Sequence, residues 1–240
     1  MKEIIAGYCK QLRLGSSIVQ NYPDIVAETN EEFLAKLLEM ELKEREVTRK
    51  NRYLKQANFD VLKTFQGYDF DDIEIPASIS IEELKAAAFI EKQENLILFG
   101  RVGNGKTHMA TAIGVAACNL GKKVKFYRTA ALVNDLSDAQ TNGNLNKLLK
   151  QLEKLDLLIC DEWGYVPLDR RGAQLLFQVV ASCYEKRSII LTTNLEFSKW
   201  NGIFYDENLT TAIIDRLIHH SHLLIFKRPS WRVEHSIIRN

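Results

Sequence analysis

A chain of 240 residues is long enough for one large domain, or for one domain with a smaller appendage. Hydrophobic residues at 46% and charged residues at 26% place it with ordinary globular chains, and no apolar run reaches the roughly 18 residues that span a bilayer. A net charge of +1 excludes a global field drawing the protein onto nucleic acid, so any such contact must come from local patches. The N-terminal "MKEIIAGYCKQLRLG" has too short an apolar stretch for a signal peptide, so we expect a cytoplasmic protein with no membrane partner. Cys9, Cys118, Cys160 and Cys183 lie far apart and form no CxxC pair, which favours buried thiols over a zinc site or disulfide framework.

Residues 1–58 read as a helical domain. Thr29 and Glu32 have capping-box spacing, and Phe33, Leu34, Leu37, Leu38 and Leu42 follow at helical spacing before the charged stretch "KEREVTRKNRYLK". Residues 59–94 read as a linker containing Gly67 and Pro76, then a leading helix "IEELKAAAFI" opened by Ser80 and Glu83. Residues 95–240 alternate. The strand-like runs are "NLILF", "KVKFY", "DLLIC", "SIILTT" and "HLLIF". Between them lie helix-like stretches at 106–119, 130–136, 145–155, 172–184 and 209–220. Strands alternating with helices predict an α/β fold with a parallel sheet covered on both faces.

The first strand runs into "FGRVGNGKTHMA". Gly100, Gly105, Lys106 and Thr107 match the phosphate-binding pattern GxxxxGK[ST]. A polyphosphate needs several backbone N–H groups aimed inward at close range, which glycine permits, and a helix N-terminus adds its positive dipole end. The loop Gly100, Arg101, Val102, Gly103, Asn104, Gly105, Lys106, Thr107 and His108 is therefore the expected nucleotide cradle. Lys106 would reach the terminal phosphates, and the Thr107 hydroxyl would bind Mg²⁺. A second strand ends in Asp161 and Glu162. Asp161 suits Mg²⁺ binding through water, and Glu162 suits polarisation of an attacking water. Water activation fits an ATPase and disfavours a metabolite kinase. The strand "SIILTT" ends at Asn194, which either orients that water or makes a simple turn. On the amphipathic stretch "LTTAIIDRLI", Arg216 is either a surface ion pair or a finger reaching a neighbouring subunit's ATP.

With these elements in order, the chain resembles the IstB-like ATPases, helpers of insertion-sequence transposition related to the DnaC-type helicase loaders of the AAA+ superfamily. The stretches that carry the resemblance are "GNGKTH", "DLLICDEWGYVPLDRRGAQLLFQVV", "LTTNLEFSKW" and "AIIDRLIHHSHLL". The resemblance implies a AAA+ core with sheet order 5-1-4-3-2, lacking the extra helical lid of larger relatives. It implies ATP and Mg²⁺ as ligands, self-assembly into a ring or helical oligomer on duplex DNA, and a transposase of the same element as partner. It assigns Asn194 as the first nucleotide sensor and Arg216 as the trans-acting finger. Where the family has a motif near GxSYR this chain has "RPSWR", which makes Arg232 the candidate second sensing arginine.

Arg45, Arg49 and Arg52 share one helix face and form either a phosphate-contacting stripe or a solvated helix end. Arg128 opens a helix that faces the central channel in the superfamily's initiators, which makes it a further candidate DNA contact. No base-reading motif is present, so sequence-tolerant backbone binding is expected. "HHSH" at His219, His220 and His222 has no acid or cysteine at ligand spacing, which argues against a metal site. The alternative function is a loader whose N-terminal helices grip a replicative helicase.

Overall fold

The computed structural model describes residues 1–204 and 206–234, apart from the side chains of Arg232 and Glu234. The chain forms two compact units, Met1–Arg52 and Tyr53–Asn240. In the first, α1 (Lys2–Gln11) and α2 (Ser16–Asn21) precede the long α3 (Asn30–Ala57), within which the unit boundary falls. The Thr29 hydroxyl accepts the Glu32 N–H at 3.2 Å, while the Glu32 carboxylate accepts from Glu28 rather than from Thr29 itself. The predicted apolar stripe on α3 divides: Phe33 and Leu37 are half-buried, whereas Leu34, Leu38 and Leu42 are exposed. One turn on, Glu41 is buried, whereas Arg45 beyond it is exposed. Both oxygens of the buried Glu41 carboxylate lie 2.9 Å from the Gly15 N–H, and Arg45 donates to Glu41 and to the Arg13 carbonyl at 2.6 Å each.

The second unit is built on six strands: β1 (Ile73–Glu74), β2 (Asn95–Gly100), β3 (Val124–Arg128), β4 (Leu157–Trp163), β5 (Ser188–Thr193) and β6 (Ser221–Phe226). Their order is β1-β6-β2-β5-β4-β3. The five long strands run parallel and, counted from β2, reproduce the expected order 5-1-4-3-2. The sixth, β1, pairs antiparallel with β6 at the edge; two residues are too short a run to show as a strand in the sequence. Between the strands lie α4 (Ile81–Lys85), α5 (Lys106–Asn119), α6 (Thr129–Thr141), α7 (Leu145–Leu152), α8 (Arg170–Cys183), α9 (Glu207–Ile218) and, after β6, α10 (Trp231–Glu234). Helices α8 and α9 start two residues before the periodicity does. Asp169 and Asp206 cap them, accepting the Gly172 and Leu209 N–H groups at 2.7 and 2.8 Å.

Alternation along the strands divides the core. Leu96, Leu98, Leu157, Ile159, Ile190 and Leu224 face α5 and the aromatic segment Phe59, Phe65, Tyr68 and Phe70. Ile97, Leu158, Cys160, Ile189 and Leu191 face α6, α8 and α9. The stretch read from sequence as linker thus supplies the cover that a helix would otherwise provide. All four cysteines are free and buried, and burial pushes the Cys118 thiol up to about 12 and Cys183 to about 11. No helix among the described residues is long and apolar enough to cross a membrane.

Candidate functional site

The site lies at the C-terminal ends of the parallel strands, where such sheets present their crevice. The loop from β2 to α5 crosses that edge. At Gly105, φ is +98°, a left-handed conformation that a side chain would strain. At Gly100, a Cβ would approach the Phe226 carbonyl to 2.6 Å, so the loop can run against β6 only as glycine. The buried Lys106 ammonium donates to the Gly100 and Arg101 carbonyls at 2.7 and 2.6 Å and to Asn104 Oδ1 at 3.1 Å. Asn104 in turn donates to the Phe226 carbonyl at 3.0 Å, tying the loop to β6. His108 Nε2 lies 2.9 Å from the Thr64 carbonyl, and its ring packs 4.8 Å from that of Tyr68. Burial pushes the Tyr68 phenol above its ordinary range, and its hydroxyl donates to the Gly105 carbonyl at 3.3 Å.

Beside the loop, β4 carries the acidic pair on an irregularity. Cys160 pairs with Leu191 and Trp163 with Thr193, so Asp161 and Glu162 together oppose Thr192. Glu162 adopts φ +58° and is exposed. The bulge points the two acids differently. Asp161 is buried and accepts from Thr107 Oγ1 at 2.9 Å and from Thr192 Oγ1 at 2.6 Å. The same Thr192 oxygen accepts the Glu162 N–H at 3.0 Å, and Thr129 Oγ1 donates to the Asp161 carbonyl at 2.8 Å. Asn194 follows, half-buried, with an Oδ1 that has no hydrogen-bond partner among the described residues.

Gly103 to His108, Glu162 and Thr192 line a cleft of about 870 Å³, which also includes Thr111 and the rim residues Val102, Arg128 and Trp231. The size is that of a small-molecule site. Several lining residues were not singled out in the sequence: Tyr68, Asp69, Asp72 and Ile73 from the supposed linker, Thr192, and Arg228. Arg228 Nη1 lies 3.4 Å from the Asp69 carboxylate and its Nε 3.7 Å from Asp72. The Trp231 N–H donates to the Gly103 carbonyl at 3.0 Å, which lays the "RPSWR" segment on the loop. The side chain of Arg232 lies outside the described residues.

Of the other expected residues, Arg128 borders the cleft and Arg216 does not. Arg216 Nη1 donates to the Ala212 carbonyl at 2.9 Å, and its guanidinium lies 5.1 Å from the Phe177 ring centroid. Arg128 ion-pairs with Asp60 at 2.7 Å on the nucleotide side of the sheet. In the N-terminal unit, Arg45, Arg49 and Arg52 are all exposed, and Arg45 donates to Glu41 and to the Arg13 carbonyl.

A phosphate loop between strand and helix, an acidic pair on a non-adjacent strand and the order 5-1-4-3-2 together define a P-loop nucleotide-binding protein of the AAA+ class. The structure is similar to that of the DnaC helicase loader, with a TM-score of 0.53 at 21% identity over 73% of this chain and 99% of that one. It is similar to DnaI at 0.53 and 17%, over 68% and 90% of the two chains; both likenesses concern the fold. A family model described as IstB-like ATP binding protein matches residues 9–238, and the chain belongs to that family. In sequence it is 38% identical to the ATP-binding protein of insertion sequence IS5376 from Geobacillus stearothermophilus, over 97% of this chain and 95% of that one. It is 40% identical to the IS21 ATP-binding protein of Pseudomonas aeruginosa, over 85% and 77%.

Proposed function

We propose that this ATP-binding protein hydrolyses ATP and, in its ATP-bound form, assembles on duplex DNA to assist the transposase of an insertion sequence. The observation that carries the hydrolytic part is the bulge in β4. It buries Asp161 against Thr107 while leaving the adjacent Glu162 carboxylate exposed in the cleft. One acid is thus held for a cation and the other is free to take a proton from water. Thr107 and Asp161 offer the hard oxygen donors that Mg²⁺ prefers, and the ion would neutralise charge on the terminal phosphates. Loop N–H groups and the start of α5 hold the phosphates. Lys106 exchanges its loop carbonyls for phosphate oxygens. Glu162 accepts the proton of the attacking water, and the unpartnered Asn194 Oδ1 orients that water. Arg216, lifted from Phe177, completes the site of the next copy by stabilising charge in the transition state.

The DNA-assembly part is supported by family membership and by the insertion-sequence relatives. Arg45, Arg49, Arg52 and Arg128 are the candidate backbone contacts. Electron microscopy with ATP and plain duplex DNA tests it: rings or filaments on the duplex support the reading. Bare duplex, with assembly only on a replicative helicase, establishes the loader instead. Lys106→Ala should lower ATP affinity about 100-fold and abolish ATP-dependent assembly.

A further inference from the structure

The three histidines of "HHSH" divide between two environments. His222 is buried between Ser78 Oγ, 2.7 Å from its Nδ1, and Glu94 Oε2, 3.0 Å from its Nε2. His219 and His220 lie instead at the junction of α9 and β6, where the end of α8 brings in Glu185. One ring nitrogen from each histidine and one Glu185 oxygen lie within 4.8 Å of one another. Glu185 comes from another element of the fold, which is why spacing along the chain showed no acidic partner.

The geometry points to a divalent transition-metal site at Glu185, His219 and His220, best matched to Zn²⁺. Four observations carry it. His220 Nε2 and Glu185 Oε1 are 3.4 Å apart, long for a hydrogen bond between them. A tetrahedral ion with bonds of about 2.0–2.1 Å has edges of about 3.3 Å, so this pair already sits at the spacing of two ligands on one ion. Next, Tyr184 Oη lies 2.9 Å from His219 Nδ1, the kind of outer contact that orients a ligating histidine. Third, two helices, α8 and α9, end at this point, and the negative ends of their dipoles favour a cation. Fourth, Glu185 adopts φ +55°, a left-handed conformation that turns the chain back just past α8. The side chains of Glu185 and His220 are 56% and 42% exposed, so an ion can enter and water can complete its coordination. Two imidazoles and a carboxylate suit Zn²⁺ over Mg²⁺ or Ca²⁺, which require oxygen donors.

Bound Zn²⁺ staples the end of α8 to the α9–β6 junction. Because Arg216 lies one turn before His219, the ion would also restrain the end of the helix that carries the proposed finger. That consequence depends on the function proposed above, whereas binding of the metal does not.

The test is Zn²⁺ competition against a chromophoric chelator on the full chain, with Mg²⁺ and ATP present so that Thr107 and Asp161 are occupied. The expected result is one Zn²⁺ per chain, weakened about 10–100-fold in His220→Ala and in Glu185→Gln. Asp161→Ala should leave that affinity unchanged. Zn²⁺ should also raise the Tm of the wild-type chain by about 5 °C and leave that of His219→Ala/His220→Ala unmoved. An unaltered metal-free Tm in these surface variants shows that they fold. Absence of Zn²⁺ binding, or binding equal in the double variant and the wild type, overturns the proposal. Loss of ATP hydrolysis with Zn²⁺ binding intact would instead count against the functional reading alone.

Discussion

Helices α3 and α5 hold their polar groups in opposite ways. In α5, the first two side chains are committed to partners far along the chain or inside the loop: Lys106 to loop carbonyls, and Thr107 to Asp161 on another strand. The residues that follow are buried almost without interruption from Met109 to Cys118. In α3, the ion pairs Glu32–Lys36, Glu39–Lys43 and Glu46–Lys50 are all four residues apart and largely in water. Pairs of that kind form in any exposed helix and contribute little. The exception on α3 is Glu41, which pairs with Arg45 one turn on but also reaches out of its helix to Gly15. The contrast teaches that a polar side chain here contributes to stability in proportion to how buried it is and how distant a partner it holds.

That rule can be broken or sharpened by substitution. Glu162→Gln keeps the shape of the bulge and removes only the proton acceptor, so ATP turnover should fall by about 10²–10³-fold with ATP affinity retained. Turnover unchanged in a single-cycle assay would remove Glu162 from its role. Thr192→Val is next. It deletes the donor to Asp161 and the acceptor of the Glu162 N–H while preserving volume. We expect kcat to drop about 10–100-fold with little change in nucleotide affinity, and Thr192→Ser to restore it. Activity kept in the valine variant and lost in the serine variant would mean that the methyl packing, not the hydroxyl, is what counts. Glu41→Gln should cost about 2 kcal/mol of stability in thermal unfolding, since a buried charge-assisted acceptor is weakened. Glu39→Ala, which breaks one of the exposed pairs, should leave Tm within measurement error; a clear drop there would defeat the comparison between the two helices.

Much of the molecule was legible in the sequence. Glycine spacing announced the loop, and short apolar runs alternating with helix-like stretches gave the order of strands and helices. Asp161 and Glu162 were visible as acids ending an apolar run. What was not legible has a common cause. The bulge that separates the roles of those acids depends on Thr192 across the sheet. The segment around Tyr68 looked like linker because its aromatics follow no regular period. Arg228 is visible as a cleft residue only once β6 lies beside β2. Arg45 looked like one of three equivalent arginines until Glu41 and Arg13 were seen to hold it.

The residues alone determined which backbone conformations were cheap and which faces were apolar, because steric freedom and apolar spacing are properties of neighbours along the chain. Only the tertiary structure decided which hydroxyl steadies Asp161 and which glutamate stands beside His219 and His220. Those contacts join positions about thirty residues apart, and only packing of the helices on the sheet sets the distances between them.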